Sequence, residues 1–168
     1  MTGLDRLWAG WRSRYIEEVT AEPAEHGEEC LFCRLAAMPD DEALVLERAE
    51  RTFTVMNAYP YTSGHVMVAP LCHVGDLETL DPDDAAALMH ATQRACAALR
   101  RAYRPDGLNV GANIGRAAGA GVPDHVHVHV LPRWSGDTNF MTSVAEVRVL
   151  PEALSASWEK LRVAWPAT

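Results

Sequence analysis

Asp124-His125-Val126-His127-Val128-His129-Val130-Leu131 alternates imidazole and apolar side chains with a period of two. That period belongs to an extended strand, in which alternate side chains share a face and same-face Cα atoms lie about 6.6 Å apart. His125 to Leu131 therefore reads as a strand. Val126, Val128 and Val130 are expected to enter a core, and the three histidines to line an open face or a cleft.

Working outward, a small, glycine-rich run precedes this strand: Asn113-Ile114-Gly115-Arg116-Ala117-Ala118-Gly119-Ala120-Gly121. Backbone N–H groups in such a run can approach an anion closely, and Arg116 adds charge. Leu108 to Ile114 reads as another strand. Upstream, Asp81-Pro82-Asp83-Asp84 starts a helix, with an Asp cap, proline at the first helical position and acid in the first turn. This helix is expected to reach about Tyr103, with Leu88, Ala91, Ala95, Leu99 and Ala102 on one face. Its alanines imply close packing on a sheet.

Leu44 to Leu46 and Thr52 to Asn57 read as strands around a charged turn, Glu47 to Arg51, and Gly64 to Pro70 as a third. Toward the C-terminus, Ala145, Val147 and Val149 alternate with Glu146 and Arg148, which suggests a short last strand. Pro151 to Trp165 reads as a C-terminal helix with Leu154, Trp158, Leu161 and Trp165 on one face. The fold class is α+β: a mainly antiparallel sheet with one long helix and a C-terminal helix. Residues 1–29 form an aromatic arm, Leu7-Trp8-Ala9-Gly10-Trp11, followed by an acidic loop; residues 30–168 form the folded domain.

The chain has 168 residues, 48% hydrophobic and 23% charged, with a net charge of -8. One domain with a real core fits that length. The acidity argues against gripping long nucleic acid through its phosphates. No run approaches the roughly 20 apolar residues of a membrane span, and the N-terminus lacks the apolar core of a signal peptide. A cytoplasmic protein is expected, and its four cysteines do not suggest a disulfide framework.

Three readings are open to His125, His127 and His129: a polar solvent face, a metal site, and a catalytic set. Residues at i, i+2 and i+4 on a straight strand splay, which counts against the three sharing one ion. Neutral imidazole is a competent nucleophile near pH 7 and can split one substitution at phosphorus into two. The glycine-rich loop beside the strand fits phosphate.

At these residues the chain resembles the histidine-triad family of nucleotide hydrolases and transferases, whose signature is H-x-H-x-H-x-x. The similarity spans about Cys30 to Trp134. It includes Asn113 and Gly115, and the Phe53…Asn57…Gly64-His65 stretch. Gly121-Val122-Pro123-Asp124-His125, Pro132-Arg133-Trp134…Gly136-Asp137-Thr138-Asn139-Phe140 and the Leu7-to-Arg12 arm look like the branch containing bacterial diadenosine tetraphosphate phosphorylases.

The resemblance implies that His127 attacks the α-phosphorus of a nucleotide to form a nucleotidyl-histidine. It implies that His129 contacts the phosphates and helps the leaving group, and that Asn113 bonds phosphate or leaving group. Phe53, Asn57 (on the ribose), His65, Asn113, Gly119, Gly121, Val122, His127 and His129 make the implied nucleotide-binding set. Water would complete hydrolysis; inorganic phosphate would complete phosphorolysis to ADP and ATP. Many members carry glutamine four residues before the first triad histidine. Gly121 stands there in this chain, so backbone N–H groups or another side chain must replace the amide, which favours the phosphorylase branch. A hydrolase of nucleoside phosphoramidates or AMP conjugates, a deadenylase of adenylated DNA, and a binding module without turnover are the competing readings.

Cys30-Leu31-Phe32-Cys33 has zinc-knuckle spacing. Zinc needs two more ligands, and His73 and His125 are the best candidates, a set the family resemblance supports. Zinc would be structural, tying the first turn of the domain to the catalytic strand. The alternatives are two reduced buried cysteines or a redox pair, though nothing nearby resembles a thioredoxin βαβ unit. No organic cofactor is expected. His26 and His90 read as surface residues. A homodimer or higher homo-oligomer is expected, since family members usually join two sheets.

Overall fold

The computed structural model describes residues 30–137 and 152–166. The expected aromatic arm, the acidic loop with His26, and the strand at 145–149 lie outside the described residues. The chain divides into two compact units; the larger, Glu29–Ser135 with Leu150–Thr168, holds every element named below.

Its elements, in order, are α1 (Leu31–Ala37), the single-turn α2 (Asp40–Ala43), β1 (Val45–Arg48), β2 (Thr52–Met56), β3 (Val66–Pro70), α3 (Pro82–Tyr103), β4 (Gly107–Gly111), β5 (Val128–Arg133) and α4 (Leu154–Ala164). Short 3-10 turns occupy Leu77–Thr79 and Arg116–Ala118. The strands form one sheet in the order β1-β2-β3-β5-β4, and every neighbouring pair is antiparallel. This is the expected α+β arrangement, with one long helix and a C-terminal helix.

The long helix begins as its sequence dictates. Asp81 caps it by accepting the Asp83 N–H, and Pro82 takes the first position. It ends where Arg104 turns left-handed at φ 45° and donates its N–H to the Arg100 carbonyl. Leu88, Ala91, Ala95, Ala98 and Leu99 are buried, and the helix lies across β2, β3 and β5. The three fully buried alanines let helix and sheet approach closely. Each fully buried leucine contributes about 1.5–3 kcal/mol of apolar transfer. From α4, Trp158 and Leu161 join the same core, and Trp158 Nε1–H donates to the Val45 carbonyl. His90 is exposed, as read.

The other face of the sheet is also covered. Phe32 of α1 packs there with Ala43, Val45, Phe53, Val55, Met67 and Ala69. Because both faces are covered, every residue of β2 and β3 is buried, Thr52 and Thr54 included.

Several element boundaries differ from the sequence reading. Glu47 and Arg48 belong to β1 rather than to a charged turn. Glu47 is buried, and Arg94 of α3 grips its carboxylate in bidentate fashion at 2.8 and 3.0 Å, which offsets its loss of water. Leu44 precedes the strand in a left-handed turn. Gly64, at φ +81°, sits before β3, which starts at Val66, and β4 stops at Gly111 rather than Ile114.

Most important, β5 begins at Val128 rather than His125. The β3–β5 ladder pairs Val66 with Val130, Met67 with His129 and Val68 with Val128, then stops. Beyond it stands Pro70, which has no N–H to donate; its carbonyl lies 3.0 Å from His125 Nε2 instead. Val126 turns its N–H to the Val74 carbonyl at 2.7 Å.

Candidate active site and metal centre

The valines of the histidine stretch do enter the core: Val126 and Val130 are buried beneath α3, and Val128 packs against them. The imidazoles take the opposite side. His129 is paired with Met67, on the face that Phe32 covers. His125 and His127 are only 1% and 4% exposed, so this is an enclosed site and not an open face.

Main-chain partners fix which nitrogen of each ring carries hydrogen. His127 Nδ1 lies 2.9 Å from the His125 carbonyl, which can only accept. Nδ1 therefore bears the hydrogen, and Nε2 keeps its lone pair. His125 spends its Nε2–H on Pro70 O, so its Nδ1 is the bare nitrogen. His65 Nδ1 accepts the Tyr61 backbone N–H at 3.1 Å, leaving Nε2–H to donate to His129 Nδ1 at 3.0 Å. Neutral His129 then carries its hydrogen on Nε2. His127 and His129 meet edge to face, with centroids 4.9 Å apart.

Burial depresses the basicity of all three triad rings. It lowers His127, with its bond to the His125 carbonyl opposing. It lowers His125, helped by His73 and His127. Burial, then the nearby His127, pushes His129 down to about 4. Each ring is thus neutral near pH 7, and His127 Nε2 is available as a nucleophile.

Asn57 stands beside this chain of rings. Its Nδ2 lies 3.3 Å from His65 Nδ1, and its Oδ1 accepts the Tyr59 N–H at 2.9 Å. The structure thus joins Asn57, His65, His129 and His127. Asn113 makes a long bond, 3.5 Å, to the Gly119 carbonyl, which braces the glycine-rich loop on itself. Gly115 and Gly119 hold positive φ angles of 76° and 85° there. Gly121 and Val122 are half-buried at its end, and Val122 packs on the Phe32 cluster. Phe53 is 1% exposed in that cluster, edge-on to Phe32.

Two residues near the histidines were missed in the sequence. Phe32 places its ring 4.5 Å from His127 and 5.2 Å from His125. Tyr61 lies 4.7 Å from His65 and 6.2 Å from His129. The available signals were the position of Phe32 inside the cysteine pair and of Tyr61 four residues before His65.

Cys30, Cys33, His73 and His125, the four expected metal ligands, converge: one donor atom from each lies within 4.8 Å of all the others. His125 Nδ1 is 3.3 Å from Cys30 Sγ and 3.7 Å from Cys33 Sγ, and His73 Nδ1 is 3.5 Å from Cys33 Sγ. Zn–S and Zn–N bonds of about 2.3 and 2.0 Å in a tetrahedron give donor separations of roughly 3.5 Å, so two sulfurs and two nitrogens at these spacings fit zinc. Gly75 makes the convergence feasible. A Cβ there would lie 2.9 Å from the Pro123 carbonyl and 3.2 Å from Asp124 Cα, so a side chain would push the His73 loop away from His125.

The family model described as HIT domain matches residues 39–136, more than half of the chain. The chain belongs to the HIT family. Among HIT relatives, it is 38% identical over 170 residues to AP-4-A phosphorylase of Mycobacterium tuberculosis, covering 96% of this chain and 85% of that one. The crystal structure of a Zn-bound histidine triad family protein from Mycobacterium smegmatis superimposes with a TM-score of 0.66 at 31% identity, covering 81% of this chain and 92% of the other. A hypothetical histidine triad nucleotide-binding protein from Sulfolobus tokodaii gives 0.65 at 27% identity, covering 80% and 91%. No helix among the described residues of this HIT protein is long and apolar enough to cross a membrane.

Proposed function

We propose that the chain is a nucleotidyl-transfer enzyme that cleaves diadenosine tetraphosphate, or a closely related nucleotide, by phosphorolysis. The observation that carries this reading is the 2.9 Å bond from His127 Nδ1–H to the His125 carbonyl, which leaves a neutral ring with its Nε2 lone pair available. The likeness to a mycobacterial AP-4-A phosphorylase over 96% of the chain supports the substrate class.

In the first step, His127 Nε2 attacks the α-phosphorus. A P–N bond forms, and the bond to the bridging oxygen breaks with its electron pair. ATP leaves as the phosphate anion, and its departing oxygen accepts a hydrogen bond from the Nε2–H of His129, which keeps its proton; the Tyr61–His65 chain holds that hydrogen on the correct nitrogen. In the second step an oxygen of inorganic phosphate attacks the adenylyl phosphorus, and the P–N electrons return to His127. ADP leaves. Asn57 is assigned to the ribose. Asn113, with the loop through Gly119, Gly121 and Val122, is assigned to phosphate, where its backbone N–H groups replace the side-chain amide that Gly121 lacks.

Cys30, Cys33, His73 and His125 would hold zinc, which when bound serves as a structural cross-link. A second copy of the chain is the proposed partner. Among the described residues strand β4 is an edge of the sheet, and its Val110 is half exposed, which suits pairing between copies. Light scattering on the purified protein tests that assignment.

The deciding experiment incubates the protein with diadenosine tetraphosphate, with and without phosphate. ADP plus ATP that requires phosphate supports the proposal. AMP plus ATP without phosphate would make the chain a hydrolase, and no turnover together with tight nucleotide binding would make it a binding module. Acid-labile nucleotide trapped on His127 and absent from His127→Ala is the independent check.

A further inference from the structure

We propose that Phe32 is an electrostatic participant in the reaction: its ring face stabilises the positive charge that His127 carries while nucleotidylated. The proposal rests on the assignment of His127 as nucleophile.

His127 enters the reaction neutral. When Nε2 bonds to phosphorus while Nδ1 keeps its hydrogen, the imidazole has no lone pair left and becomes an imidazolium. When the P–N bond breaks, the electron pair returns to Nε2 and the charge vanishes. The intermediate therefore places a cation where the resting site is tuned for a neutral ring. His127 is 4% exposed, so water can offset little of that charge. The His125 carbonyl, on Nδ1–H, supplies one negative dipole.

Phe32 offers a further negative surface to this ring. The Phe32 ring centroid lies 4.5 Å from that of His127, and the planes are tilted at 35°, nearer parallel than edge-on. A cation within about 6 Å of an aromatic centroid is attracted by the negative face of its quadrupole, more strongly where water is excluded. His129, by contrast, meets His127 at 76°, edge to face, and is itself kept neutral. Phe32 is 1% exposed and sits between the two cysteines of the candidate metal centre, on the first turn of α1. Its ring meets Phe53 edge-on at 6.3 Å.

The test varies the quadrupole and keeps the shape. Phe32 is replaced in the full chain by 4-fluoro-, 3,5-difluoro- and 3,4,5-trifluorophenylalanine, and separately by cyclohexylalanine. Single-turnover formation of the His127 adduct from diadenosine tetraphosphate is measured, together with metal content and melting temperature. The adduct rate should fall stepwise with fluorination, by roughly tenfold at the trifluoro variant, with metal content and melting temperature unchanged. Cyclohexylalanine should match the slowest of the series. Equal rates across the series, or rates that follow melting temperature alone, overturn the proposal and reduce Phe32 to packing. Absence of any adduct in the unmodified protein overturns the nucleophile assignment itself, and this inference with it.

Discussion

The carbonyl of His125 accepts the Nδ1–H of His127 at 2.9 Å, while the ring of the same His125 stands between two thiols, 3.3 Å from Cys30 and 3.7 Å from Cys33. One residue thus belongs to the candidate metal-binding cluster through its side chain and meets the proposed nucleophile through its backbone. Removing the metal should be felt at His127. Chelation, or Cys33→Ser, is predicted to abolish stoichiometric zinc by elemental analysis and to slow adduct formation by about 10- to 100-fold, the range found when groups supporting a site are lost. Full activity in a zinc-free protein would refute the coupling.

His65 is predicted to act through His129. Its Nε2 meets His129 Nδ1 at 3.0 Å, and its Nδ1 is held by the Tyr61 N–H. In His65→Leu, His129 is free to place its hydrogen on Nδ1 and can no longer hold it toward the leaving group. Turnover should fall by roughly 10²-fold, within the range for losing one hydrogen-bond donor to a developing anionic oxygen. A substrate with a better leaving group should recover most of the loss, whereas a folding defect would leave both substrates equally slow.

Stability should decline on the acid side in a defined window. Burial holds His129 at about 4 in the folded protein, below the ordinary histidine value near 6.5. Above 6.5 the ring is neutral in both states and costs nothing. Between 6.5 and 4 the unfolded chain takes up a proton that the folded chain refuses, so stability falls as pH falls. Below about 4 both states are protonated and this contribution levels off. Urea midpoints measured from about pH 7.5 down to about pH 4 should trace that decline, and His129→Asn should make it shallower. An unchanged slope in the variant would count against the assignment.

The buried ion pair offers a test of the fold. Arg94 binds both oxygens of Glu47, whose side chain is 4% exposed. Arg94→Leu should cost roughly 3 kcal/mol by leaving that carboxylate without its partner. The double variant Glu47→Leu/Arg94→Leu should be more stable than Arg94→Leu alone in chemical denaturation. If the single variant costs under about 1 kcal/mol, water reaches the carboxylate freely.

Gly75→Ala is predicted to lose metal before it loses fold, because the added methyl would meet the Pro123 carbonyl beside His125. Zinc affinity should drop by at least about tenfold, with stability lowered by a typical overpacking cost of roughly 1–3 kcal/mol. Unaltered zinc affinity would show that the loop yields without moving His73.

Much of this site was legible in the chain. Period two marked the histidines and sent Val126 and Val130 to the core; Asp81-Pro82 marked the start of α3; and cysteine spacing led to His73 and His125. What escaped notice depended on contacts that no local pattern carries. Glu47 looks like a turn residue until Arg94, 47 positions away, neutralises it. Alternation continues back to His125, yet pairing with β3 ends at the Val68–Val128 pair, two residues short of Pro70, which has no N–H to offer. Phe32 and Tyr61 are ordinary aromatics in sequence, and only folding lays them against His127 and His65.

The hydrogens of these rings are placed by Pro70 O, His125 O and Tyr61 N, all peptide groups. A side-chain substitution leaves a peptide carbonyl in place, and for an N–H only proline removes it. The tautomer of the nucleophile is consequently robust to point mutation: a change that loosens the Cys and His cluster can shift the His125 carbonyl and slow the reaction, yet the same nitrogen of His127 still bears the hydrogen.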